Sequence, residues 1–121
     1  MKISNLLMLE SALETLKTQK VSFNLAYKIS LIVKDWEFNM DFYRNQLKKM
    51  LSEYAEKDNN GNFVENDGNI KIKPEFLEVF KQKYDELLNS EVVFEHHFTM
   101  EDLEPFSFSV EEVQLLLPLI E

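Results

Sequence analysis

From residue 22 to residue 57 the chain contains no Gly and no Pro, so nothing interrupts a helix over thirty-six residues. Apolar positions recur at alternating three- and four-residue steps, the spacing of a helix packed along its whole length. This seam comprises Leu25, Ile29, Ile32, Trp36, Asn39, Tyr43, Leu47, Met50 and Tyr54. A second stripe on another face comprises Tyr27, Leu31, Phe38 and Phe42. The pattern predicts one long central helix over 22–57 that is covered from two sides.

The length of this helix conflicts with the size of the chain. Thirty-six helical residues extend about 54 Å, whereas a globule of 121 residues is only about 35 Å across. Three resolutions are open: the helix breaks near residues 39–41, one end projects as an arm, or a partner covers the excess. The partner interpretation makes Phe38 and Phe42 candidate binding residues, because aromatic side chains typically anchor interfaces. Burial in the core is the competing interpretation.

Shorter elements are predicted on either side. Apolar periodicity, Pro74 at a first helical turn and the Ser109–Glu112 capping box predict further helices at 3–17, 74–89 and 110–117. A hairpin is expected with strands at 62–65 and 69–73, turning at 66–69. The β-branched and aromatic content of 91–98 favours another strand that could join it.

The predicted fold class is therefore mostly α with a small β-hairpin or three-stranded sheet (α+β). The long central helix is expected to be packed by the N-terminal, third and short C-terminal helices, in a single domain over 1–121. No stretch approaches the roughly 20 apolar residues of a membrane span, and no basic-then-apolar leader opens the chain. A cytoplasmic protein without a membrane partner is expected.

Charge is distributed unevenly along the chain. Residues 1–57 hold nine Lys/Arg against seven Asp/Glu, whereas residues 58–121 hold four against fifteen, for a total of −9. Residues 91–121 contain no Lys or Arg. Nucleic-acid binding requires basic groups that neutralise phosphates, so direct contact with DNA or RNA is not expected. An acidic surface with two aromatic side chains could instead bind a basic patch of another protein, through Glu101, Asp102, Glu104, Phe106, Phe108, Glu111 and Glu112. A solvated face that keeps the protein soluble is the alternative.

Motifs of catalysis and metal binding are missing or incomplete. There is no Cys, no Gly-rich phosphate loop and no Gly-x-Ser-x-Gly turn, so neither an enzyme nor a small-molecule substrate is expected. The acidic loop that starts at Asp58 has Phe63 and Asn69 where a calcium loop needs Gly and Glu. On a strand, His96 and His97 would point to opposite faces, and Glu95 with His97 would lack a third converging ligand. We expect no cofactor and no metal.

Several segments carry a resemblance that spans most of the chain. They are residues 1–6 (MKISNL), 53–58 (EYAEKD), 60–62 (NGN), 67–69 (DGN), 86–89 (ELLN) before 91–92 (EV), 108–112 (FSVEE) and 119–121 (LIE). With these, the chain resembles small proteins of unknown function that bacteriophages and prophages encode. The resemblance implies a setting in the bacterial host cytoplasm, or association with the virion, and implies no activity.

Two functions fit that setting. The first is a protein-binding module in an assembly, adaptor or virion-associated role, acting on another protein or by self-association. The second is an inhibitor of a host defence protein or nuclease that occupies a basic groove with its acidic C-terminal third. Both act by protein–protein interaction alone.

Overall fold

A computed structural model describes all 121 residues of the chain. Six helices and one two-stranded antiparallel sheet confirm the mostly helical α+β class. The helices and strands are α1 Ile3–Met8, α2 Glu10–Lys17, α3 Phe23–Tyr54, β1 Glu65–Asn66, β2 Asn69–Ile70, α4 Leu77–Leu88, α5 Met100–Leu103 and α6 Val110–Leu116. A short 3₁₀ turn at Pro74–Phe76 precedes α4, and another at Leu117–Leu119 follows α6. None of the helices combines the length and the apolar character that crossing a bilayer requires.

The long helix is continuous. α3 runs for 32 residues, about 48 Å, without a break at residues 39–41. It begins where predicted, because the Ser22 hydroxyl accepts a hydrogen bond from the Leu25 amide at 3.3 Å. Its buried residues lie only between Ile29 and Tyr43. The conflict of lengths is therefore resolved by a projecting end, since the last turns of α3 leave the core.

The core is made by the part of α3 up to Tyr43 and both ends of the chain, a region that we call the body (residues 1–43 and 87–121). Eighteen buried side chains form one cluster, among them Leu6, Leu16, Ile32, Phe98 and Leu119. The Trp36 indole N–H donates to the Leu6 carbonyl at 2.9 Å, which orients α1 across α3. Backbone hydrogen bonds join the two ends of the body, including those from Ile3 to Ser90 and from Val92 to Met1.

The rest of the chain forms an extension that we call the arm (residues 44–86). Ala55 is its only buried residue. At its tip three extended segments bond to one another in a ring, since the amides of Glu56, Val64 and Lys71 donate to the carbonyls of Lys71, Glu56 and Val64 respectively. The predicted hairpin is present, but its strands are only Glu65–Asn66 and Asn69–Ile70, shorter than the predicted 62–65 and 69–73. Gly68 lies in its turn at φ +81°, a conformation that glycine adopts without strain.

The prediction of a strand at 91–98 is wrong. Only Glu91 and Phe98 form isolated bridges, and their partners are Lys2 and Ile120 rather than the hairpin. The third segment of the arm tip is instead residues 55–57, which directly follow α3. Ala55 is already extended, at φ −80° and ψ 149°. The central helix therefore ends at Tyr54, three residues before the predicted end.

The other predicted helices are present, but their ends differ by a few residues and the N-terminal one is interrupted. The N-terminal helix is divided at Leu9, although the Leu13 amide still bonds to the Leu9 carbonyl. Pro118 lies within the 3₁₀ turn that follows α6. The sequence interpretation missed α5, whose capping box is formed by Thr99 and Asp102.

Candidate functional site

Residues 91–98, which we call the strap, lie along one side of α3 without regular structure of their own. α3 holds the strap with side chains instead of a neighbouring strand. The Asn39 amide donates to the Val93 carbonyl at 3.1 Å, and the Asp35 carboxylate accepts from the His96 amide at 2.9 Å. Just beyond the strap, Lys28 bonds to Asp102 at 2.6 Å. The strap therefore runs antiparallel to α3, with polar side chains at helical steps as its anchors.

A groove of about 580 Å³ opens between α3 and the strap. Phe38, Phe42 and Val93 contribute its apolar surface, and Lys34, Asp35, Glu91 and Glu95 are among its polar lining residues. Phe38 and Val93 are 76% and 78% exposed, and Phe42 is 47% exposed. The interpretation of Phe38 and Phe42 as core residues is therefore wrong, and both are available on the surface. At Phe38 and Phe42 the body therefore covers only one side of α3, not the two sides that were predicted.

A second, smaller cavity of about 190 Å³ lies at the acidic end of the body, between α5 and α6. We call it the C-terminal pocket. It is lined almost entirely by apolar side chains: Met100, Leu103, Phe108, Val113, Leu116, Leu117 and Ile120, with Glu104 as the one charged lining residue. Met100, Val113 and Leu117 are exposed at 65%, 42% and 52%. The pocket is thus an open apolar recess within the most acidic part of the chain.

The predicted acidic residues divide into two groups. Glu101, Glu104 and Glu111 are exposed and form no ion pair. Asp102 and Glu112 each accept a hydrogen bond from the N-cap amide of their own helix, at 2.8 and 3.1 Å. Only the first group is therefore free to meet a partner.

Asp102 is also tied electrostatically to α3. Partial burial acts to raise the pKa of its carboxyl, but the hydrogen bonds from Lys28 and Thr99, with the charge of Lys28, hold that pKa below its usual value. Asp102 is thus a structural residue that fixes the end of the strap.

The two predicted aromatic residues at this end are half-buried. The rings of Phe106 and Phe108 lie 6.0 Å apart and pack against the core. Phe108 also lines the C-terminal pocket, whereas Phe106 does not. The structure therefore brings Phe108, Glu104 and Met100 together at the pocket and places Phe106 outside its lining.

One cluster of chemically active groups was missed by the sequence analysis. Asp35, Glu95 and His96 each place a potential ligand atom within 4.8 Å of the other two. The His96 Nδ1 atom lies 3.0 Å from Asp35 Oδ2. The expectation that no third donor converges on this segment assumed a strand, and the absence of the strand removes that assumption. Asp35 is sixty residues away from Glu95 in the chain, so no local pattern could have indicated it.

Comparisons with known proteins give no relative on which to base a function. No protein-family model, curated protein or solved structure matches this chain.

Proposed function

We propose that this chain is a small phage-encoded protein-binding module that acts without catalysis and holds a segment of another protein in its C-terminal pocket. The observation that carries the proposal is the apolar recess between α5 and α6, located in a stretch of 31 residues without a single Lys or Arg. The phage setting rests on the sequence resemblance alone, and it places the partner in the host cytoplasm or on the virion.

The size of the pocket limits what it can hold. Binding sites for drug-sized ligands typically span about 300–1,000 Å³, whereas this recess measures about 190 Å³. It suits one bulky apolar side chain of a protein partner, of the kind that anchors an interface. Met100, Val113 and Leu117 would lose exposed apolar surface on contact, which favours association.

The surrounding charge defines the rest of the partner. Glu101, Glu104 and Glu111 are exposed on and beside the two helices that line the pocket, with no Lys or Arg between 91 and 121 to offset them. A partner segment with Lys or Arg flanking its apolar anchor would be attracted and oriented by these carboxylates. We therefore infer a basic, amphipathic peptide segment as the occupant.

A peptide-display selection on the immobilised protein tests this proposal. We expect the enriched peptides to combine a large apolar residue with neighbouring Lys or Arg. Val113→Glu, which places a charge in the pocket, should weaken their binding by about thirtyfold or more, the size of an interface hot spot. Val110→Glu is the matched control, because Val110 is 76% exposed on the same helix and does not line the pocket.

Charge is tested separately with the triple variant Glu101→Gln, Glu104→Gln and Glu111→Gln, which leaves the capping residues Asp102 and Glu112 in place. Binding should weaken, and its dependence on salt should flatten. If the peptides bind the Val113→Glu variant as tightly as they bind the unaltered chain, the pocket proposal is overturned. If the triple variant alone abolished binding, the inhibitor that occupies a basic groove would be the better account.

A further inference from the structure

We propose that Asp35, Glu95 and His96 bind one divalent transition-metal ion of the zinc class, at the end of the groove between α3 and the strap. This site is separate from the C-terminal pocket, so the two proposals stand or fall independently. The three potential ligand atoms already lie within 4.8 Å of one another. Two carboxylates and one imidazole therefore converge on one point from two parts of the chain.

The spacing of two of the donors is close to that of two ligands of one metal ion. Zinc binds imidazole nitrogen and carboxylate oxygen at about 2.0–2.2 Å, so two ligands of a tetrahedral ion are roughly 3.3–3.5 Å apart. Asp35 Oδ2 and His96 Nδ1 are 3.0 Å apart. Separating this pair by a few tenths of an ångström would admit the ion, which a change in side-chain torsion achieves without moving the backbone.

Two of the three donors, Asp35 and His96, are held in place before a metal binds. Asp35 lies in the continuous middle of α3, and its carboxylate accepts a hydrogen bond from the His96 amide at 2.9 Å. The strap is fixed on one side by Asn39, which donates to the Val93 carbonyl at 3.1 Å, and on the other by Phe98, which is fully buried. Because the positions of His96 and Asp35 depend on each other, little ordering is needed on binding.

An ion pair alone explains only part of the arrangement. The contact between His96 and Asp35 accounts for the 3.0 Å distance, but it does not explain why Glu95, a second carboxylate that repels Asp35, lies beside the same group. Lys34 lines the same groove but forms no ion pair with either carboxylate. A divalent ion between the carboxylates would offset their repulsion.

The set of donors selects the class of ion. Calcium takes six to eight oxygen ligands and magnesium prefers an octahedral oxygen shell, whereas an imidazole nitrogen with two carboxylates suits zinc and its neighbours. Three protein ligands leave at least one coordination position open. Asp35 and Glu95 line the groove, so that position is reached from solvent through it.

Titration of the chelator-treated protein with Zn²⁺ and Co²⁺ tests this site. We expect one equivalent of Zn²⁺ to bind by calorimetry, and Co²⁺ to give visible ligand-field absorption. His96→Gln and Glu95→Gln should each weaken binding by at least about tenfold. Even mutation of a residue that only hydrogen-bonds to a metal ligand typically lowers metal affinity by this much. Asp35 is left unchanged because its carboxylate also anchors the strap.

His97→Gln and Glu91→Gln are the matched controls, because both residues lie on the strap and neither belongs to the cluster. They should bind the ion as the original chain does, with unchanged circular dichroism in all four variants. The proposal is overturned if no ion binds, or if His96→Gln binds as tightly as the unaltered chain. It is also overturned if several weak equivalents bind and excess Ca²⁺ displaces them, which would mean that cations merely scatter over an acidic surface.

Discussion

The body and the arm share one helix but are stabilised in different ways. In the body, α3 is buried against aliphatic and aromatic side chains from both ends of the chain, and 19 of the 20 buried residues of the protein lie there. In the arm, Tyr54 packs edge-on against Phe76 and Phe80 with ring centres 5.3 and 6.4 Å apart, and the rings remain half-buried. The same helical periodicity therefore supports a fully buried core in the body and a half-exposed aromatic cluster in the arm.

The arm supplements its contacts with charges placed over rings. The Lys57, Lys73 and Lys83 ammonium groups lie 5.9, 5.9 and 5.5 Å from the ring centres of Phe63, Phe76 and Tyr54 respectively. Such contacts contribute only about 0.5–1 kcal/mol each at exposed sites. The comparison indicates that regular patterning specifies a helix, whereas the amount of chain that returns to cover the helix determines its stability.

The largest contrast is expected between two phenylalanines. Phe98 is fully buried in the body, so Phe98→Ala should lower the free energy of unfolding by about 3–5 kcal/mol. Phe80→Ala in the arm should cost less than half as much, because the half-buried ring loses fewer contacts on truncation. Urea denaturation followed by circular dichroism measures both values. Equal costs would mean that the arm is as tightly packed as the body.

The next largest effect on stability is expected from the loss of one buried hydrogen bond in the body. Trp36→Phe removes the indole that donates to the Leu6 carbonyl at 2.9 Å, so that carbonyl keeps only the longer bond from the Leu9 amide at 3.3 Å. We expect a loss of about 1–3 kcal/mol, measured in the same denaturation experiment. Tyr27→Phe is a suitable control, since the Tyr27 ring is 59% exposed and its hydroxyl forms no hydrogen bond within the protein. A Trp36 variant as stable as this control would contradict the expectation.

The hydrogen bond between Tyr43 and Tyr84 connects the body to the arm at 2.9 Å. Burial, and then the bond to Tyr84, raise the pKa of Tyr43 well above its usual value. Because the folded state holds this proton more tightly, the resulting stability is complete below the unfolded pKa of about 10 and declines as the pH rises above it.

Tyr84→Phe should therefore cost about 1 kcal/mol at neutral pH and bring the pKa of Tyr43 nearer to its usual value. Ultraviolet titration of tyrosinate formation, compared between the variant and the unaltered chain, measures the change. If Tyr43 ionised near its usual pKa in both proteins, the junction would not be the tight contact described.

A smaller effect is expected where Lys28 holds the end of the strap. Asp102→Asn keeps an oxygen for the helix cap but removes the charge, so we expect a loss of about 0.5–1 kcal/mol at pH 7. The pKa of Asp102 is lowered in the folded protein, so this contribution is present above the unfolded pKa of about 4 and is lost as the pH falls further. Stability measured at neutral and at acidic pH should show the difference between the two proteins vanish in acid.

Asp41→Asn is the matched control, because the Asp41–Arg44 pair is 3.4 Å long and both side chains are more than half exposed. It should leave the stability unchanged at either pH. An Asp102 variant with the same pH profile as the Asp41 variant would show that Lys28 does not fix the strap.

The smallest effect on stability is expected for an exposed phenylalanine of the body, Phe38. Phe38→Ser should change the free energy of unfolding by less than about 0.5 kcal/mol, since 76% of Phe38 is exposed although it lies between buried turns of α3. The same denaturation experiment measures it. A loss as large as that of Phe98→Ala would place Phe38 in a covered site.

Local signals predicted much of this fold. The absence of Gly and Pro predicted α3, Pro74 predicted the start of the helical segment before α4, and the Ser109 cap predicted α6. The Asp67–Gly68 pair predicted the hairpin turn. Each of these features acts within a few residues of the structure it specifies, and this is why sequence patterns indicated them correctly.

The strap shows where local reasoning fails. Val92, Val93 and Phe94 have the composition of a strand, but Asn39 lies 54 residues from Val93 in the chain and satisfies its carbonyl in place of a sheet partner. The exposure of Phe38 depends likewise on which side of α3 the chain ends cover. The cluster of Asp35, Glu95 and His96 depends on the same long-range contact, so it becomes visible only in three dimensions.

The division of the body between the two ends of the sequence has a kinetic consequence during synthesis. The arm is local in the chain, and its helices and hairpin can form as soon as residue 86 has left the ribosome. The body needs Leu116 and Leu119, which are almost fully buried against segments made about a hundred residues earlier. Contacts of such high sequence separation form slowly, so the emerging chain exposes the apolar faces of α1, α2 and α3 until its last turns arrive. During that interval these apolar faces are open to non-native contacts.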